Sequence, residues 1–168
     1  NLLDRQLVML SENEIVPILY FSKADLMDET TKERMLPVFD YYSKYYRTVV
    51  SEKNMADEEL VSALLEEAGN VLVVMGQTGA GKSTLLNRLD PKLKLETGEI
   101  SKALSRGRHT TRKVSLMDVK GHLIADTPGF SSFDAEDVEL EMKTRLPELF
   151  RDFAPYASDC RFADCAHV

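Results

Sequence analysis

The chain has 168 residues, 43% of them apolar and 29% charged, and its 21 basic against 28 acidic side chains leave a formal charge of −7. That profile fits one soluble globular domain and excludes a membrane span, since no run approaches the roughly 18 apolar residues one needs. It also argues against nucleic-acid binding driven by net charge alone, although a local basic patch can still dock on RNA. The start lacks the basic flank and apolar core of a signal peptide, so a cytoplasmic location is expected. With only Cys160 and Cys165, five apart near the end, no disulfide framework is available. Asn1 in place of Met and the stop at Val168 lead to the expectation of a piece of a longer protein.

Leu2, Leu3, Leu7 and Leu10 recur at helical spacing, and the apolar run 15–21 reads as a strand that ends in the polar Ser22-Lys23-Ala24-Asp25. Residues 29–45 are helical in pattern, with Pro37 expected to break or kink them, and 47–50 form a short strand ending at Ser51. Asp57 is the expected cap of a helix over 58–68 that Gly69 closes. The continuous apolar run 71–75, rich in β-branched valine, reads as a strand buried on both faces, as in a parallel sheet. A glycine-rich loop, 76–81, leads into a helix from Lys82 to Leu89. After a polar stretch containing Gly98 and Gly107, residues 113–119 and 122–126 read as strands joined by a Lys120-Gly121 hairpin turn. Residues 135–153 look helical, with an entry at Pro147. Strands alternating with helices predict an α/β fold with a mostly parallel sheet and an antiparallel hairpin at one side.

The strongest chemical signal is Gly76-Gln77-Thr78-Gly79-Ala80-Gly81-Lys82-Ser83-Thr84, a phosphate loop lying between a strand and a helix. Its glycines let successive backbone N–H groups face phosphate oxygens, and the following helix directs its positive end at the same anion. Lys82 supplies charge for the β- and γ-phosphates and Ser83 a hydroxyl for Mg²⁺. Asp126-Thr127-Pro128-Gly129 follows an apolar strand, which puts a second carboxylate at the strand's carboxyl end, where Asp126 would hold Mg²⁺ and the Gly129 N–H would sense a γ-phosphate.

Ser22-Lys23-Ala24-Asp25 has the [NST]-K-x-D form of a guanine-recognition loop. One Asp carboxylate can accept from both the N1 and N2 donors of guanine, a pair adenine does not offer, and the Lys stem can lie across the base plane. Ser22 stands where Asn is commoner, which bears on the contact to the base N7. Ser51-Glu52-Lys53 is a loose match to the loop that backs the base. The order is unusual: the base loop precedes the phosphate loop, which precedes Asp126 to Gly129. A circular permutation accounts for it, with new termini opened between the last segment and the base loop.

Asn1-Leu2-Leu3-Asp4-Arg5, Ser22 to Asp25, Gly76 to Thr84, Gly107-Arg108-His109-Thr110-Thr111, Asp126 to Phe130 and Cys160-Arg161-Phe162-Ala163-Asp164-Cys165-Ala166-His167 together resemble the circularly permuted, ribosome small-subunit-dependent GTPases of the RsgA (YjeQ/YloQ) family. The likeness runs over nearly the whole chain. It implies a permuted P-loop NTPase domain of the Ras-like, three-layer kind over 1–153, and the start of a truncated zinc-binding domain over 154–168. On the same likeness, the N-terminal OB-fold of that family is expected to be missing from this stretch.

It further implies GTP/GDP and Mg²⁺ as cofactors, GTP hydrolysis, and action on the small ribosomal subunit and its rRNA late in assembly, by a monomer away from membranes. Thr111, with Thr110 as alternate, would be the switch threonine that closes on Mg²⁺. Phe130 occupies the place of the usual water-orienting Gln, and the resemblance offers His109 instead. Cys160, Cys165 and His167 provide two sulfurs and an imidazole for Zn²⁺, with a fourth ligand expected downstream; unliganded thiols or a local disulfide are the alternatives. Two rival functions are a P-loop ATPase or small-molecule kinase, and a non-hydrolysing interaction module in which Phe130 marks lost catalysis.

Overall fold

The computed structural model describes residues 2–52, 54–66, 69–77, 79–95, 115–126, 145, 148–153 and 156. Four helices and five strands are found among them: α1 (Leu2–Glu12), β1 (Ile18–Phe21), α2 (Glu29–Ser43), β2 (Arg47–Val50), α3 (Asp57–Leu65), β3 (Val71–Val74), α4 (Lys82–Leu89), β4 (Ser115–Val119) and β5 (His122–Asp126). Short 3₁₀ turns follow β1 (Ala24–Leu26) and α4 (Pro91–Leu93). The chain forms two compact units, one of residues 1–19, 33–48 and 134–168 and the other of 20–32 and 49–133.

Strands β1 and β2 pair, and β3, β5 and β4 form a second sheet in that order. Within it β3 and β5 run parallel, with Val71 beside Leu123 and Val74 beside Asp126, while β4 and β5 are antiparallel. Their hairpin turns at Lys120 and Gly121, whose φ values of 53° and 86° match the twist of the two flanking strands. In the second unit α3 packs on α4, and Leu60 and Leu86 are fully buried along with Ile124 and Val119 of the sheet. Each such side chain contributes about 1.5–3 kcal/mol of hydrophobic stabilisation. The first unit buries Leu7 and Val8 of α1 with Phe39 and Tyr42 of α2.

Several local expectations are corrected. The strand over 15–21 begins only at Ile18: Pro17 lacks a donor, and the Ile15 N–H is spent on the Leu10 carbonyl at 2.8 Å, closing α1. Pro37 does not break its helix, because α2 continues through it to bury Phe39 and Tyr42. Tertiary packing outweighs one missing backbone bond. Asp28, just before α2, accepts the Thr31 N–H at 2.8 Å, and the Thr31 hydroxyl first and this N–H second hold its carboxyl below the usual range. Asp57 is the first residue of α3 rather than its cap; Ala56 holds the cap position, and Asp57, Glu58 and Glu59 favour the helix start through its dipole. The helix closes at Leu65, short of 68. Finally, β3 is not buried on both faces, since Val71 and Val73 are 60% and 51% exposed. A β-branched run reports strand propensity, which is separate from coverage of both faces. The helix expected over 135–153 lies mostly outside the described residues.

Candidate nucleotide site

Strand β3 delivers the chain to the phosphate loop, and α4 begins immediately after it. Gly79 and Gly81 adopt φ values of 82° and 92°, the left-handed region in which a side chain would strain the backbone. Gly81 is the N-cap of α4, and the Leu85 N–H bonds its carbonyl at 2.9 Å, so the helix starts at Lys82. The Lys82 Nζ donates to the carbonyls of Gly76 at 2.9 Å and Gln77 at 3.1 Å, arching over the loop that its own helix follows. Ser83 is half-buried in the first turn, whereas Gln77 and Thr84 are exposed. Thr78 lies outside the described residues.

The base loop reaches this same loop from earlier in the chain. Ser22 Oγ donates to the Ala80 carbonyl at 2.6 Å, and Lys23 Nζ donates to the Gly79 carbonyl at 2.7 Å. Lys23 does this from a left-handed backbone, φ 62°, at the entrance of the 3₁₀ turn that carries Ala24 and Asp25. The Ser51 N–H continues the β1–β2 pairing onto the Phe21 carbonyl at 3.0 Å. Ser51, a buried polar side chain, then donates from Oγ to Asp25 Oδ1 at 2.8 Å. One carboxylate oxygen of Asp25 is thereby oriented by a neighbouring loop. Glu52 is exposed, and its carbonyl accepts the Met55 N–H at 3.2 Å.

At the carboxyl end of the sheet Asp126 is the register partner of Val74, the last strand residue before the phosphate loop. Backbone pairing therefore brings Asp126 level with the loop's entrance. The set of a hydroxyl at Ser83 and a carboxylate at Asp126 is the hard-oxygen chemistry that suits Mg²⁺. His109, Thr110, Thr111, Gly129, Phe130, Cys160, Cys165 and His167 lie outside the described residues.

One residue that the motifs did not single out joins the site's supports. Arg88, in the last turn of α4, donates from Nε to Asp57 Oδ1 at 2.7 Å and from Nη2 to the Met55 carbonyl at 2.6 Å. It ties the phosphate-loop helix to the segment after Ser51, and the Asp57 carboxylate favours its charged form. A lone Arg in a helical pattern carries no sign of such a role. A cleft of about 240 Å³ in the other unit, lined by Ser11, Ile15, Val16, Leu149 and Arg151 among others, includes none of the motif residues.

A phosphate loop on a parallel strand pair, bonded by a lysine–aspartate base loop that comes earlier in the chain, defines the circularly permuted P-loop GTPase fold. Residues 1–136 match the RsgA GTPase family, and the chain belongs to it. It is 50% identical over 169 residues to the small ribosomal subunit biogenesis GTPase RsgA of Limosilactobacillus reuteri (strain DSM 20016), covering all of this chain and 56% of that protein. The RsgA of Pediococcus pentosaceus is 46% identical, with 100% of this chain and 54% of that protein covered. Among solved structures, the crystal structure of YjeQ from Thermotoga maritima superposes with a TM-score of 0.67 at 31% identity, over 99% of this chain and 53% of that one. The chain thus spans about half the length of the curated relatives it matches. Among the described residues no helix is long and apolar enough to cross a membrane.

Proposed function

We propose that this chain binds guanine nucleotides and, with Mg²⁺, hydrolyses GTP to GDP and phosphate. The observation that carries the reading is the pair of bonds from Ser22 and Lys23 to the carbonyls of Ala80 and Gly79, which joins a base-selecting loop to a phosphate loop against their order in the chain. Asp25, oriented by Ser51, accepts from guanine N1 and N2. Lys82 neutralises charge on the β- and γ-phosphates, and the Gly129 N–H faces the γ-phosphate. Ser83 and Asp126, with Thr111 (Thr110 as alternate), hold Mg²⁺, which when bound spreads the charge of the transferring phosphoryl group. His109 positions the water that attacks in line, a part that the apolar Phe130 cannot take.

The reading extends to the whole protein: its relatives' names give biogenesis of the small ribosomal subunit, and the family resemblance suggests the rest. There the GTPase domain, 1–153, works in late maturation of the small ribosomal subunit, in contact with that subunit and its rRNA, as a cytoplasmic monomer. Residues 154–168 begin a zinc-binding domain through Cys160, Cys165 and His167.

Competition of fluorescent GDP by GTP, GDP, ATP and ADP, with Mg²⁺ present, tests the core of the proposal. Guanine-selective displacement is expected; equal displacement by ADP would sink the role of Asp25 and favour an ATPase. His109→Ala is expected to keep nucleotide affinity and to lower single-turnover hydrolysis by about a hundredfold. Unchanged turnover removes His109 from the mechanism.

A further inference from the structure

A serine hydroxyl carries one donor hydrogen and two acceptor lone pairs. Ser22 Oγ lies 2.6 Å from the Ala80 carbonyl oxygen, and a carbonyl can only accept, so the single hydroxyl proton points at the phosphate loop. The bond is partly buried, and Ser22 is packed closely enough on Gly81 that a Cβ placed there would lie 3.8 Å from the Ser22 Cβ. Turning the hydroxyl away therefore leaves the Ala80 carbonyl without this partner. Toward a bound purine, Ser22 presents lone pairs only. The edge of guanine beside its N1 and N2 donors carries O6 and N7, and both are acceptors. Acceptor facing acceptor gives no hydrogen bond. An Asn at this position would differ, because its amide has two hydrogens, one for Ala80 and one for N7.

We propose that Ser22 leaves this site blind to the purine N7: the residue staples the base loop to Ala80, and guanine is selected at its N1/N2 edge by Asp25. The inference rests on the guanine-nucleotide site proposed above and deepens it. It makes the site tolerant of guanine nucleotides modified at position 7.

The test is displacement of fluorescent GDP by GDP, 7-deaza-GDP and ADP on the 168-residue chain with Mg²⁺. The 7-deaza base replaces N7 by C–H and keeps N1–H, the N2 amine and O6. We expect 7-deaza-GDP to compete within about twofold of GDP and ADP to compete far more weakly, and Ser22→Asn to create a preference for GDP over 7-deaza-GDP of about two- to tenfold. A several-fold penalty for 7-deaza-GDP in the unsubstituted chain, with GDP still preferred over ADP, overturns N7 blindness and leaves the guanine site standing. Equal competition by GDP and ADP overturns both. The unsubstituted chain alone decides the proposal, so a poorly folding variant does not rescue it.

Discussion

Each of the two compact units has its own balance of internal contacts. Around the nucleotide site, side chains bond mostly to backbone oxygens: Ser22 to Ala80, Lys23 to Gly79, Lys82 to Gly76 and Gln77, and Arg88 to Met55, beside two side-chain pairs, Ser51 with Asp25 and Arg88 with Asp57. In the other unit the long-range contacts are mostly between side chains, with the Arg151 bond to the Tyr45 carbonyl at 2.9 Å an exception. Tyr42 donates to Asp4 at 2.7 Å, Tyr41 donates to Asp152, Arg145 pairs with Glu12 at 2.6 Å, and the Arg151 guanidinium stands 5.1 Å from the centre of the Tyr46 ring. Tyr41 also meets Tyr42 and Tyr45 edge to face. A contact to backbone asks for one residue type at one place. A contact between side chains asks for two, and here the two lie up to 133 residues apart.

Four substitutions probe that difference. Lys82→Ala should have the largest effect, removing a charge-assisted phosphate contact and weakening fluorescent-GDP binding by about a hundredfold or more while the far-UV circular dichroism is kept. Retained affinity would mean that the loop binds through its backbone alone. Asp25→Asn comes next: GDP affinity is expected to fall about ten- to hundredfold, and xanthosine diphosphate, which offers an acceptor at position 2, should become the better competitor. An unaltered base preference would separate Asp25 from recognition. Ser51→Ala removes the partner that orients Asp25, and titration should show a loss of about two- to tenfold in GDP affinity with little change for ADP.

The smallest effect belongs to the side-chain network. The hydrogen bond to Asp152 is the main cause that raises the Tyr41 phenol above its ordinary value of 10.0, and burial is the main cause that raises Tyr46. The folded chain therefore keeps these protons longer than the unfolded one. Their contribution to stability is complete below about pH 10 and is lost as pH climbs above it. Tyr41→Phe should change urea stability near neutral pH by no more than about 0.5 kcal/mol and flatten its decline above about pH 10. An equally steep decline in the variant would assign the alkaline loss to other groups.

The same contrast explains what could be read in the sequence. The phosphate loop, the base loop and the Lys120–Gly121 turn were legible because each has a backbone requirement that few residues meet, such as φ 92° at Gly81 or two left-handed residues in the hairpin. The P-loop fold followed from their setting among strands and helices. Ser51 was only loosely legible, since its link to Asp25 crosses 26 residues. Arg88 was not legible at all, because its partners Asp57 and Met55 precede it by 31 and 33 residues. The cap of α3 and a break of α2 at Pro37 were misread for a related reason: local propensity is a small term, and the burial of Leu60 or Phe39 outweighs it.

Lys23 also sets a boundary for anyone wishing to make this protein sturdier. Glu14, Lys23, Lys94 and Lys120 are the described non-glycine residues with left-handed backbones, and each is a natural target for glycine, which relieves roughly 1–2 kcal/mol of steric conflict. At Lys23 that relief would come with loss of the ammonium group bonded to Gly79. On the proposed function, robustness and nucleotide affinity are there set against each other in a single residue, whose left-handed backbone carries the side chain that reaches the phosphate loop.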